Sequence, residues 1–342
     1  MIKVLLLSVF TSFFGQATND KIDSYLNQLH TKGELNGNVL VIKDGKTLYE
    51  KSFGYADGEK SMLLTKNYRF NIGSVYKEFP AVSIMQLQEK NLIQLDDKIS
   101  KYLTELPKWS EKVTVKQLLQ YSSGLPTIGW NSYFSQGINV TDAHILNEIQ
   151  NIENLEFEPG TDYLYSNMNP VLLIKIVEHV SKSSFKDYLQ ENIFNPFELN
   201  GIVLKEQYPY VDKTLMANPF NVDFEEDNYN ISVESLLFNA TASDLAIWFE
   251  QLGDFKVVSE QSVKKLSEIA KVGENAQSPL GNCEWEKNKI IEHTHHGSSG
   301  NYECLIRRFK QDGITIVILT NQKHGNVYDI SNTIYVILIK DI

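Results

Sequence analysis

The sequence predicts an α+β fold: a mainly antiparallel sheet built from both chain ends, flanked by helices, with an all-helical region inserted between. Three observations carry this. Strand-like runs flank Asp44-Gly45 near the start and Asp312-Gly313 near the end, and both dipeptides are hairpin signals. Between them, over about residues 90–270, apolar residues recur at helical spacing. No internal repeat, low-complexity tract or long linker interrupts the chain.

In chain order, Ile22, Tyr25, Leu26 and Leu29 place a short helix over Lys21–His30. Gly37–Ile42 and Thr47–Phe53 form the first hairpin. Helices follow over Ser74–Gln88, Val113–Gln120, Val171–Val180 and Phe185–Ile193. Ala242–Leu252 is a helix capped by Thr241 or Ser243, and Glu260–Ala270 is another. Tyr302–Arg308 and Ile314–Thr320 make the second hairpin, and Val327–Ile339 closes the chain as an apolar helix. The sheet would draw on about residues 35–70 and 285–342.

The 342 residues suffice for two domains or one large domain with insertions. Hydrophobic residues at 42% and charged residues at 22% support a sizeable core and exclude disorder. A net charge of −11 argues against a nucleic-acid partner, which calls for clustered basic surface. Lys3, the apolar run Val4–Phe14 and the small-residue site Gly15-Gln16-Ala17 read as a signal peptide over residues 1–17. That run is too short to span a bilayer, so no integral membrane segment is expected after its removal. The mature chain, residues 18–342, would be exported to the periplasm or secreted. There Cys283 and Cys304 could pair, or both could remain buried thiols.

Chemistry concentrates at three places. Ser74 and Lys77 are three apart on one helical face, with Ser74 at a helix start, where free N–H groups favour developing negative charge. A serine needs a neighbouring base to become nucleophilic, and a lysine with a lowered pKa can be that base. Ser183/Lys186 and Ser262/Lys265 repeat the spacing, but only Ser74 is followed by an apolar helix and preceded by a strand-like segment. Tyr165-Ser166-Asn167 follows the loop signal Pro159-Gly160. A phenol beside an ammonium group can be held partly ionised and shuttle protons, while an amide can orient a carbonyl. In His295-His296-Gly297-Ser298, the glycine permits close backbone approach, and the Ser298 N–H can donate to an oxyanion.

Taken together and in this order, the motifs resemble the serine β-lactamase and penicillin-binding-protein superfamily, in particular class C β-lactamases and D-alanyl-D-alanine carboxypeptidases. Leu92-Ile-Gln-Leu-Asp-Asp-Lys-Ile-Ser-Lys-Tyr-Leu103, Leu118-Leu-Gln-Tyr-Ser-Ser-Gly-Leu-Pro126 and Thr241-Ala-Ser-Asp-Leu245 extend the resemblance over about residues 21–340. It implies a nucleophilic Ser74, proton transfer shared by Lys77 and Tyr165, and an oxyanion hole from the N–H groups of Ser74 and Ser298. It also implies substrate held by Asn167 and His295 beside Gly297, with no cofactor or metal. The substrate would be a small molecule, peptide or ester; oligomeric state is open. Departures are His295 where the family carries lysine, Tyr121 for a frequent histidine, Asn301 for a frequent glycine, and Glu78 directly after Lys77. At that spacing Glu78 points to a different helix face from Lys77. The neutral histidine resembles the esterase-like members; β-lactam or D-Ala-D-Ala cleavage is the alternative. Two rival readings compete with these: a metallohydrolase using His293, His295 and His296, and a retired relative that binds without turnover.

Overall fold

The computed structural model describes residues 2–340, with side chains from Gln16 onward. The leader expected at residues 1–17 therefore falls outside the described side chains save Gln16 and Ala17; its backbone forms the first half of helix α1 (Ile2–Thr31), continuous with the predicted helix at Lys21–His30. Strands β1 (Gly37–Lys43) and β2 (Lys46–Phe53) make the first hairpin. The short strand β3 (Phe70–Asn71) pairs with β4 (Phe238–Ala240) and leads to the functional turn. Helices α2 (Glu78–Glu89), α3 (Val115–Leu119), α4 (Met168–Ser181), α5 (Phe185–Leu189), α6 (Ala242–Gly253) and α7 (Glu260–Leu266) fill the middle. Strands β5 (Asn282–Glu286), β6 (Lys289–Ser299), β7 (Tyr302–Phe309) and β8 (Ile314–Thr320) precede helix α8 (Val327–Lys340).

The main sheet runs β2-β1-β8-β7-β6-β5, and every pairing in it is antiparallel. Both termini thus build one sheet, as the two hairpin signals predict. Asp44 and Gly45 both take positive φ, 51° and 72°, as a two-residue turn that matches strand twist requires. The Asp44 N–H donates to the Gly313 carbonyl at 2.8 Å, so the two hairpin turns brace one another.

Period-two alternation sorts the apolar residues onto two faces. Val39, Val41, Leu305, Ile314, Ile316 and Ile318 pack with Ile22 and Leu26 of α1 and Ile330 and Ile334 of α8. Leu40, Ile306, Val317 and Leu319 point the other way, into the core shared with α2, α4 and α6. A one-residue slip of β8 would reverse both sets, at ~1.5–3 kcal/mol for each side chain exposed. Phe79, Ala81, Val82, Ile84 and Met85 leave α2 almost without a solvent face, so this helix is buried on all sides. Thr241 caps α6, accepting from the Asp244 N–H at 3.3 Å.

One expectation is corrected and one open alternative is decided. α7 ends at Leu266 rather than Ala270, because Ser267 Oγ turns back to the Val263 carbonyl at 2.8 Å and accepts from Trp285 Nε1 at 2.9 Å. Cys283 and Cys304 are free, on β5 and β7 with β6 between them. Cys283 stands opposite His293 and Cys304 opposite Gly297, so two strand spacings and four residues of strand rise part them, beyond disulfide reach. Among the described residues no helix is long and apolar enough to cross a membrane.

Candidate active site

Ser74 lies in a 3-10 turn, Gly73–Lys77, between β3 and α2, rather than in an α-helical first turn. Gly73 takes φ +49° to swing the chain out of β3, and its N–H is held by Asn71 Oδ1 at 2.9 Å. The three-residue period of the turn stacks Lys77 under Ser74, and Lys77 Nζ donates to Ser74 Oγ at 3.0 Å. The lysine is 4% exposed, with Nζ 4.7 Å from the Tyr76 ring centre and 4.9 Å from that of Tyr165. Burial drives its pKa down to about 7. Ring faces attract the ammonium far less than a carboxylate would, so desolvation wins.

Tyr165 and Asn167 are held by a loop tied to the rest of the helical region. Ser166 Oγ donates to the Pro126 carbonyl and accepts from the Met168 N–H at 3.2 Å. Asn169 Nδ2 donates to the Ser166 carbonyl at 3.0 Å and its Oδ1 accepts from Ser123 Oγ at 2.6 Å. Tyr121, at positive φ, lays its ring 4.9 Å from that of Tyr165. Burial pushes the Tyr165 phenol up to about 12, and its hydrogen bond with Ser74 offsets only part of this. Partial ionisation, expected from sequence, is therefore replaced by a neutral O–H. Asn167 precedes α4 and lines the cleft beside Ser74; its Oδ1 is buried and has no partner among the described residues.

Two glycines bring the third segment against the nucleophile turn. A Cβ on Gly297 would lie 2.0 Å from the Ile72 carbonyl oxygen and 2.9 Å from Ser74 N, and one on Gly73 would lie 2.2 Å from Ser298 N. The backbone nitrogens of Ser74 and Ser298 thus lie where the two segments meet. Gly297→Ala should force β6 away from the turn and cut kcat about 100-fold. Ester turnover per titrated site, compared with the melting temperature, separates that effect from unfolding.

The three histidines of β6 divide by strand alternation. His293 and His295 share one face of β6, where His293 Nε2 lies 3.0 Å and His295 Nδ1 2.7 Å from Glu78 Oε1. His296 faces the opposite side and meets Glu303 at 3.0 Å. The run that suggested a metal cluster is split across the sheet. His295, expected to hold substrate, is buried, with its Nδ1 engaged by Glu78. Burial lowers its pKa, against the pull of Glu78. Glu78 is the residue that helix spacing alone misses: it does point away from Lys77, but into β6. An acid directly before the largely apolar run Phe79–Met85, with two histidines two apart on a strand, was the available signal.

The cleft, about 400 Å³, is walled by Trp130, Phe134, Tyr229, Ile231, Leu236 and Leu237. Among its described lining residues only Lys77 carries a charged side chain. Lys323 stands at its edge, donating to Ser298 Oγ at 2.7 Å. The other Ser-x-x-Lys copies lie elsewhere: Lys186 pairs with Glu234 at 2.7 Å, and Ser262 Oγ donates to Glu89 at 2.6 Å.

A serine hydroxyl over a buried lysine, beside an antiparallel sheet, is an arrangement suited to serine hydrolase chemistry. The chain belongs to the beta-lactamase family, whose model matches residues 22–340. It is 27% identical over 341 residues to a penicillin-binding protein of Bacillus subtilis (strain 168), covering 90% of this chain and 73% of that one. It is 26% identical to protein flp of Staphylococcus aureus (strain MW2), covering 89% of this chain but only 64% of flp. A solved penicillin-binding protein from Bacillus halodurans shares the fold, with a TM-score of 0.78, 21% identity, and coverage of 91% of this chain and 98% of that one.

Proposed function

We propose that the protein is an exported serine hydrolase that cleaves an uncharged ester or amide through an acyl-enzyme on Ser74. The observation that carries this is the 3.0 Å contact of Lys77 Nζ with Ser74 Oγ, in a cleft otherwise walled by apolar and uncharged groups. Lys77, with a pKa of about 7, is the base that takes the Ser74 proton as Oγ attacks the substrate carbonyl. The N–H groups of Ser74 and Ser298 receive the oxyanion. Tyr165, a neutral phenol bonded to Ser74, passes a proton to the leaving group, and Lys77 restores it. Water, activated by the same pair, then releases the acyl group. Asn167 Oδ1 meets a donor on the acyl side.

Export rests on the leader-like residues 1–17. The charge pattern favours neutral substrates because His295 is neutral and turned onto Glu78, so the third motif presents no fixed cation. One observation favours a second reading, cleavage of carboxylate-bearing peptides or β-lactams: Lys323 brings an ammonium group to Ser298. A panel of p-nitrophenyl esters, a D-alanyl-D-alanine peptide and a penicillin separates the two. The first reading expects ester turnover to dominate and Lys323→Ala to leave it within about twofold. Loss of about tenfold or more on the anionic substrates alone, with those substrates preferred by the unaltered protein, favours the second.

A further inference from the structure

Glu78 is wholly buried, and a buried carboxylate is costly unless its charge is compensated. Here three donors from two other elements converge on it. Trp248 Nε1, from α6, donates to Oε2 at 2.7 Å, while His293 Nε2 and His295 Nδ1, from β6, reach Oε1 at 3.0 and 2.7 Å. Burial alone would raise the carboxyl pKa; attraction and hydrogen bonds from His293 and His295 outweigh it and hold it at about 2. An ionised carboxylate only accepts, so both ring nitrogens carry their protons toward it. His293 Nε2–H is shared with the Leu280 carbonyl at 3.0 Å, which also only accepts. Phe249 stacks on His293 at 4.1 Å and Phe79 on Trp248 at 4.6 Å, so the rings cannot turn without disturbing the core.

The placement of this group matters more than its strength. Glu78 follows Lys77 directly and lies four residues after Ser74; His295 lies three residues before Ser298. The Glu78–His295 bond is therefore a strut between the two backbone segments whose N–H groups are proposed to receive the oxyanion, set behind the Gly73–Gly297 contact. We infer that Glu78 is a positioning residue for catalysis: it ties the Ser74–Lys77 turn to the strand bearing Ser298, and holds His295 as the Nδ1–H tautomer, outside substrate charge recognition. This rests on the acyl-enzyme reading above.

Glu78→Gln tests it, because the amide keeps size but offers a single acceptor oxygen and adds two donors. Three donors can no longer all be satisfied, so His295 should switch to the Nε2–H tautomer, accepting at Nδ1 from the amide. On p-nitrophenyl butyrate, kcat per phosphonate-titrated site should fall about 100-fold with KM within about threefold, as expected for displaced rather than lost groups. Glu78→Asp, which keeps the charge but shortens the reach, should recover part of kcat and the Nδ1–H tautomer in ring-nitrogen NMR spectra. A merely structural role would lower the melting temperature and the titratable fraction while leaving kcat per site and the tautomer unchanged. That result, or wild-type kcat per site in folded Glu78→Gln, overturns the inference; if Glu78→Gln does not fold, wild-type kcat in Glu78→Asp does so. Failure of the unaltered protein to form any acyl-enzyme with the same ester would instead overturn the hydrolase reading, and this inference with it.

Discussion

Replacing Ser74 by alanine is expected to abolish acyl-enzyme formation and lower kcat by about 10⁴-fold or more, while leaving the fold intact. The size follows from geometry. Ser74 Oγ is the hydroxyl that Lys77 Nζ contacts at 3.0 Å, next to the segment bearing Ser298. The serine lies on a turn whose shape is set by Gly73 and Asn71, not by its own side chain, so the loss should be chemical rather than structural. The copies at Ser183 and Ser262 supply internal controls. Each is bonded within its own surroundings, and alanine at either should leave labelling by a serine-reactive phosphonate unchanged.

Lys77→Arg should be nearly as damaging, lowering kcat/KM by about 10²–10⁴-fold. Arginine keeps a cation under Ser74 but cannot give up its proton at neutral pH, so it tests basicity rather than charge. The pH profile of the unaltered protein carries the same information. Burial lowers the Lys77 pKa to about 7, so the free amine is the minor form below that pH and the major form above it. Activity should accordingly rise with pH through about 7 and level off, falling about tenfold per unit on the acid side. Neutral Tyr165, with its pKa near 12, adds no descending limb until strongly alkaline pH. A flat profile between pH 5 and 8, with chemistry rate-limiting, would remove Lys77 as the base.

Much of this was legible in sequence because it depends on short-range rules. Asp44-Gly45 demanded a positive-φ turn and got one; Val39, Leu40 and Val41 alternate across a sheet and were buried on opposite faces. The Ser74–Lys77 pair depends only on three-residue spacing, which a 3-10 turn and an α-helix both satisfy, so the pairing held although the turn type differed. What was not legible depends on partners remote in the chain. Helix spacing says that Glu78 turns away from Lys77, but not that His293 and His295, more than 200 residues on, wait there. The same long-range bond engages His295 Nδ1, a partner that strand spacing does not show. Charge states were hidden for a related reason. A phenol beside an ammonium group reads as acidic until its burial is known, and burial decided the sign for Tyr165. Strand β5, the sheet's edge, shows only an exposed–intermediate alternation over five residues, too short and polar to stand out before its pairing with β6 is seen.

The central claim is that Ser74 is the nucleophile, and adduct mapping tests it most directly. The purified protein is treated with a serine-reactive phosphonate and, separately, with a labelled penicillin, and the modified peptide is located by mass spectrometry. Phosphonate on Ser74 with no stable penicillin adduct is the expected result. Penicillin retained on Ser74 would keep the nucleophile but contradict the neutral-substrate reading in favour of a penicillin-binding carboxypeptidase. No adduct from either reagent in folded protein, or an adduct on another residue, would contradict the account, and the first of these would point to a protein that binds without turnover.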